Sequence, residues 1–141
     1  MELQKYNINE GSLDAPKGLI DQTVNVLSPP QGKGLTVSIS RDKLPWGMDF
    51  EEFVFAQLEK LKEAFNDFTE DGRHVLEIDG ARCPVCRFNW SSPHGRLYQM
   101  MTMVEKNGNV VILTTSMTEP ISKKQKEQIN EMYLSFKHRI T

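Results

Sequence analysis

Asn107-Gly108 is the most constraining pair in this chain of 141 residues. Alternating apolar runs flank it from Gly95 to Thr118, and Asn-Gly is the pair that best tolerates the positive φ angles of a type I′ turn. A two-residue loop fixes the register, setting Val104 opposite Val111 and Met103 opposite Ile112. One face of the hairpin then carries Tyr98, Met100, Thr102 and Val104 against Val111, Leu113, Thr115 and Met117. The other carries Leu97, Gln99, Met101 and Met103 against Ile112, Thr114, Ser116 and Thr118. Neither face is charged until the turn, whereas a strand bordering water on one side alternates apolar with charged residues. Both faces are therefore expected to be covered.

Upstream, residues 3–10 and 19–27 read as two strands separated by a Gly/Asp/Pro/Gly turn region, with Ile20, Gln22, Val24 and Val26 sharing a face. The prolines and glycines of segment 28–34 make it a connector. Residues 35–42 form a third strand, Leu35, Val37 and Ile39 alternating with Thr36, Ser38 and Ser40. Asp49 is placed to cap a helix, with Glu52 completing a capping-box pattern. Phe50, Phe53, Val54, Leu58, Leu61, Ala64, Phe65 and Phe68 follow at helical spacing, while Phe55 lies off that stripe. Gln57 falls inside the stripe and needs a hydrogen-bonding partner if buried. Asp79-Gly80 is a second tight-turn pair, joining strands at 73–78 and 81–90. Ser122 and Gln125 form a second capping box, opening a helix with Ile129, Met132, Tyr133, Phe136 and Ile140 on its apolar face. Strands come in runs rather than alternating with helices. That order predicts one α+β domain over 1–141, with a largely antiparallel sheet of about seven strands and two long helices.

Such a sheet presents roughly 600 Å² on each side, and a helix of about 20 residues covers about 300 Å². Two helices shield one face, or half of each, and leave several hundred Å² for a partner. Self-association and a foreign apolar segment both meet that need. Thr102, Val104, Val111 and Leu113 are the expected core positions. Leu97, Gln99, Met101 and Thr114 are the expected partner-facing ones.

Composition removes several classes of partner. A net charge of −2 and a pI near 5.9 give no basic footprint for nucleic acid. No apolar run approaches the ~20 residues needed to span a bilayer, and the start has no signal-peptide pattern. A cytoplasmic protein with no direct membrane insertion is expected. Cys83-Pro84-Val85-Cys86 is the one motif with the look of chemistry. Redox pairs depend on a helix N-terminus to lower a thiol pKa, whereas this motif opens a strand, where residues three apart point to opposite faces. As a zinc half-site it lacks a second ligand pair, since His74, His94 and His138 are scattered. No nucleotide-binding or nucleophile-elbow pattern is present. The expectation is a protein that is not an enzyme and uses no cofactor or metal. Met100, Met101 and Met103 in one strand suit either ordinary core packing or a surface that adapts to varied apolar partners.

The opening EGSLDAP, the strands DQTVNVL and LTVSISRD, and the element order over nearly the whole chain resemble the DcrB-related family. The missing signal peptide makes the chain similar to the Eag branch, the effector-associated chaperones of bacterial type VI secretion. The resemblance implies a PsbP-like sandwich and a homodimer with a concave apolar surface. It also implies a function, shielding the N-terminal transmembrane helices of PAAR-containing effectors until they are loaded on the secretion spike. By the same resemblance Val24 and Val26 match the apolar pair that touches client helices. Gln57 and Phe65 on the first helix, and Leu97, Gln99 and Met101 in the hairpin, are further contacts. The competing reading is a PsbP-like scaffold that binds a folded soluble protein, its second sheet face buried in a homodimer.

Overall fold

The computed structural model describes residues 1–32 and 34–140, so residue 33 of the predicted connector lies outside the described residues. Among the described residues the strands are β1 (Leu3–Ile8), β2 (Gly11–Pro16), β3 (Asn25–Leu27), β4 (Thr36–Lys43), β5 (Thr69–Ile78), β6 (Ala81–Ser92), β7 (Gly95–Lys106) and β8 (Asn109–Met117). The helices are α1 (Phe50–Ala64), between β4 and β5, and α2 (Lys123–Leu134), after β8. The main sheet is antiparallel throughout, in the order β3-β4-β8-β7-β6-β5. The α+β class stands. The sheet has six strands rather than seven, and β1 and β2 form a separate hairpin.

Local chemistry explains the well-anticipated parts. Asn107 (φ 52°) and Gly108 (φ 81°) adopt the positive angles of the turn, and β7 and β8 pair in the predicted register. Asp79 (φ 49°) and Gly80 (φ 80°) do the same between β5 and β6. Asp49 accepts a hydrogen bond from the Glu52 backbone N–H at the start of α1, and Ser122 and Gln125 form a reciprocal capping box at the start of α2. The α2 helix ends at Leu134, so Ile140 lies beyond it and is exposed. Ala64, expected in the α1 stripe, is also exposed.

The N-terminal reading needs correction. Residues 11–16, expected as turn, pair with 3–8 to make the β1–β2 hairpin, strand pairing overriding the weak propensity of Gly, Ser, Asp and Pro. Residues 19–24, expected as strand, are not. The Asp21 carboxylate accepts from the Thr23 backbone N–H at 2.9 Å, a local turn that competes with sheet pairing. Only Asn25, Val26 and Leu27 reach β4.

Each helix takes one face of the main sheet. Phe53, Val54 and Leu58 of α1 pack on Cys86, Phe88, Met101, Met103 and Val110. Ile129 and Tyr133 of α2 pack on Ile78, Cys83, Val85, Met100, Val104 and Leu113. Burying such side chains contributes about 1.5–3 kcal/mol apiece. No helix of the described chain is long and apolar enough to cross a membrane.

Candidate functional site

The α1 face is only partly covered. Strand register builds a row across it, Val26 on β3, Ser38 on β4, Thr114 on β8, Met101 on β7 and Cys86 on β6. The adjacent row runs Thr36, Ser116, Gln99 and Phe88. α1 sits over the β6–β7–β8 end, covering Met101, which is 6% exposed, and Met103. Beyond it, over β3, β4 and β8, the strip carries half-buried Thr36, Ser38, Thr114 and Ser116, with Val26 60% exposed at its margin. Three strands spaced about 4.8 Å apart give a strip about 10 Å wide between the outer axes. That is the width of one helix.

Gln99 forms the border between covered and open halves. Its Oε1 accepts from Trp90 Nε1–H at 2.6 Å, and its Nε2–H donates to Ser116 Oγ at 2.7 Å. Trp90 stands across from Leu97 on the same face and stacks on Phe65, with ring centroids 3.8 Å apart and planes 8° apart. Phe65 caps the C-terminus of α1, its backbone N–H bonding to Leu61 O. The turn that follows is fastened by Arg96, which donates to Asp67 Oδ2 at 2.7 Å and Asp67 O at 2.9 Å, and by Ser91 N–H to Asn66 O at 2.8 Å. The aromatic pair therefore holds a fixed position beside the strip.

The residues singled out in the sequence divide by these placements. Val26, Leu97, Gln99, Met101 and Thr114 share the α1 face, and Phe65 joins them through Trp90. Met101 lies in the core under α1 and supports the row from beneath rather than opening to solvent. Val24 is exposed in the segment just before β3. Gln57 is half-buried on α1 and makes no side-chain hydrogen bond among the described residues. Ser38 and Trp90 were not singled out. The alternating Thr36, Ser38 and Ser40 carried the signal for Ser38, but only the β4–β8 pairing shows that these hydroxyls continue the row.

The CPVC segment serves packing. Cys83 belongs to the α2-side core and Cys86 to the α1-side core, as the three-residue spacing predicts. Burial pushes both thiols up from their ordinary pKa, the reverse of the lowering that redox chemistry needs. Pro84 marks where β6 parts from β7. The register between them begins at Val85 opposite Thr102, and the Thr102 hydroxyl donates to the Pro84 carbonyl at 2.9 Å.

The profile of the DcrB family matches residues 10–135. The fold is shared with the crystal structure of PA94, a Pseudomonas aeruginosa protein of unknown function, at a TM-score of 0.75 and 20% identity, covering 100% of each chain. The PsbP protein of Synechocystis sp. PCC 6803, CyanoP, aligns at a TM-score of 0.47 and 8% identity over 93% of this chain and 86% of its own. The Ran-binding protein Mog1p of Saccharomyces cerevisiae aligns at 0.46 and 12% identity over 95% and 85%. No curated protein matches the chain.

Proposed function

The chain belongs to the DcrB family, and we propose that it is an effector-associated chaperone of the Eag type. In this reading it holds the apolar N-terminal helices of a PAAR-containing type VI effector in the cytoplasm until they are loaded on the spike. The observation that carries the proposal is the uncovered strip on the α1 face, where Val26, Ser38 and Thr114 continue the row that begins in the core at Met101. Its width suits one helix, and the hydroxyls of Thr36, Ser38 and Thr114, which make no side-chain hydrogen bond among the described residues, can receive the polar groups that a transmembrane helix carries. A client burying a few hundred Å² at ~25 cal/mol/Å² gains several kcal/mol before ordering costs. Function is binding alone, with no chemical step and no cofactor.

A second copy of the chain completes the proposed binding surface. Ile8 and Leu13 lie exposed on one face of the β1–β2 hairpin, Leu3 on the other, and Leu19 and Ile20 follow it exposed, apolar groups of the kind an interaction covers. Pairing two copies through this segment would cover it and bring two strips together for more than one client helix.

The test is co-expression with an effector N-terminal segment. The segment should remain soluble and co-purify with the wild-type chain, and should be lost with Val26→Asp or Val24→Asp, because an unpaired charge in an apolar contact is costly. A segment equally soluble without the chain, or with either variant, contradicts the proposal. If instead only folded soluble proteins co-purify, the scaffold reading replaces it.

A further inference from the structure

The opposite face holds a feature that client binding does not use. Between the N-terminal end of α2 and strands β5, β6 and β7 lies a cavity of about 230 Å³, lined by Asp71, Arg87, Asn89, Tyr98, Ile121 and Lys126 among others. Arg87 projects from the middle of β6, opposite Gly72. Pairing shifts by one residue between Glu70 and Gly72, a bulge that sets Gly72 against Arg87. A Cβ at position 72 would collide with the Arg87 guanidinium. The bulge and the glycine together make room for this one side chain.

Among the described residues that guanidinium has no hydrogen-bond partner. Its Nε is buried without a hydrogen bond, and among the described residues Arg87 makes no ion pair. Asp71, the carboxylate lining the cavity, accepts at both oxygens from the Asn89 side-chain amide, at 2.9 and 2.8 Å, and forms no ion pair with Arg87 among the described residues. The first turn of α2 adds more positive character. It carries Lys123 and Lys124, with Lys126 following in the cavity wall, and no acidic residue, although the helix dipole favours anions there. A buried donor on a cation is costly when unmet. Two cations facing a small cavity with one wall of Ile121 and the Tyr98 ring make the environment of a carboxylic acid with a short apolar body. The edge formed by Nε and a terminal nitrogen of Arg suits a planar carboxylate bidentately.

We propose that this cavity is a carboxylate-binding site, with Arg87 as the principal ligand and Lys126 as the second cation. The carboxylate comes either from a small free dicarboxylic acid or from an acidic side chain of a bound polypeptide. The site stands independently of the chaperone reading, since it lies on the other face of the sheet.

The experiment follows the Arg87 Nε–H resonance by NMR in the full chain during separate titrations with succinate, succinamide, inorganic phosphate and an acetylated tri-glutamate peptide. Succinate or the peptide should shift the resonance saturably, and the tighter of the two identifies the source. Succinamide should leave it unmoved. Arg87→Gln, followed through neighbouring backbone amides, should weaken binding at least tenfold, and the surface variant Lys126→Gln severalfold. Non-saturable shifts with both carboxylates, phosphate binding tighter than either, or unchanged affinity in both variants would overturn the assignment.

Discussion

The two faces of the sheet use similar residues to opposite ends. Under α2, the buried hydroxyls of Thr102, Thr115 and Tyr133 are satisfied internally. The Tyr133 hydroxyl donates to Met100 O at 2.9 Å and bonds Thr115 Oγ1 at 2.7 Å, and Thr102 bonds Pro84 O. Burial pushes the Tyr133 phenol far above its ordinary pKa, so it stays neutral and keeps donating. On the α1 face, Thr36, Ser38 and Thr114 sit at equivalent depths in their strands. They are half-open and make no side-chain hydrogen bonds among the described residues. Threonine and serine on this sheet are thus core where the chain supplies their partners, and half-open where it does not, which is the surface the proposed function uses.

Substitutions can break this contrast in order of size. Tyr133→Ala should cost about 3–5 kcal/mol in chemical denaturation, because it removes the largest fully buried side chain. Tyr133→Phe should cost about 1–3 kcal/mol, by leaving Met100 O and Thr115 with an unmet bond. Gln99→Leu, at the border, should cost about 1 kcal/mol through the lost Trp90 and Ser116 bonds and should change the Trp90 fluorescence. Val26→Asp should stay within about 0.5 kcal/mol of wild type yet abolish client capture. A variant that lowered stability and capture together would erase the distinction between the faces.

The smallest effect concerns the C-terminal tail. The Asp79 carboxyl is held below its usual range, first by the His138 backbone N–H and then by the His138 ring. A depressed folded pKa adds stability above the unfolded value of about 3.9, and that stability is lost as pH falls through the folded value. The protection of the His138 amide, relative to its intrinsic exchange rate, should therefore fall as the Asp79 carboxylate is protonated in acid, and Asp79→Ala should give the low protection already at neutral pH.

Legibility in the sequence followed the range of the interactions. Asn107-Gly108, Asp79-Gly80 and the capping residues act within four positions, so their outcomes were readable, and the hairpin register came with them. The strip was half readable. Residues on β7 and β8 were placed on one face by the turn, but Ser38 and Val26 reach that face through β4–β8 pairing of distant segments, which no local pattern encodes. The Asx turn at Asp21 replaced an expected strand because a short-range hydrogen bond competed with an edge pairing of three residues. Arg87 was invisible for the same reason as Ser38. Its setting depends on a bulge in the neighbouring strand.

The most direct test of the contrast between the faces is amide hydrogen exchange of the chain with and without a bound effector N-terminal helix. The account predicts new protection in β3, β4 and β8, around Val26, Ser38 and Thr114, with α2 unchanged. Protection confined to α2 or to the β5 edge, with those three strands unaffected, would contradict it.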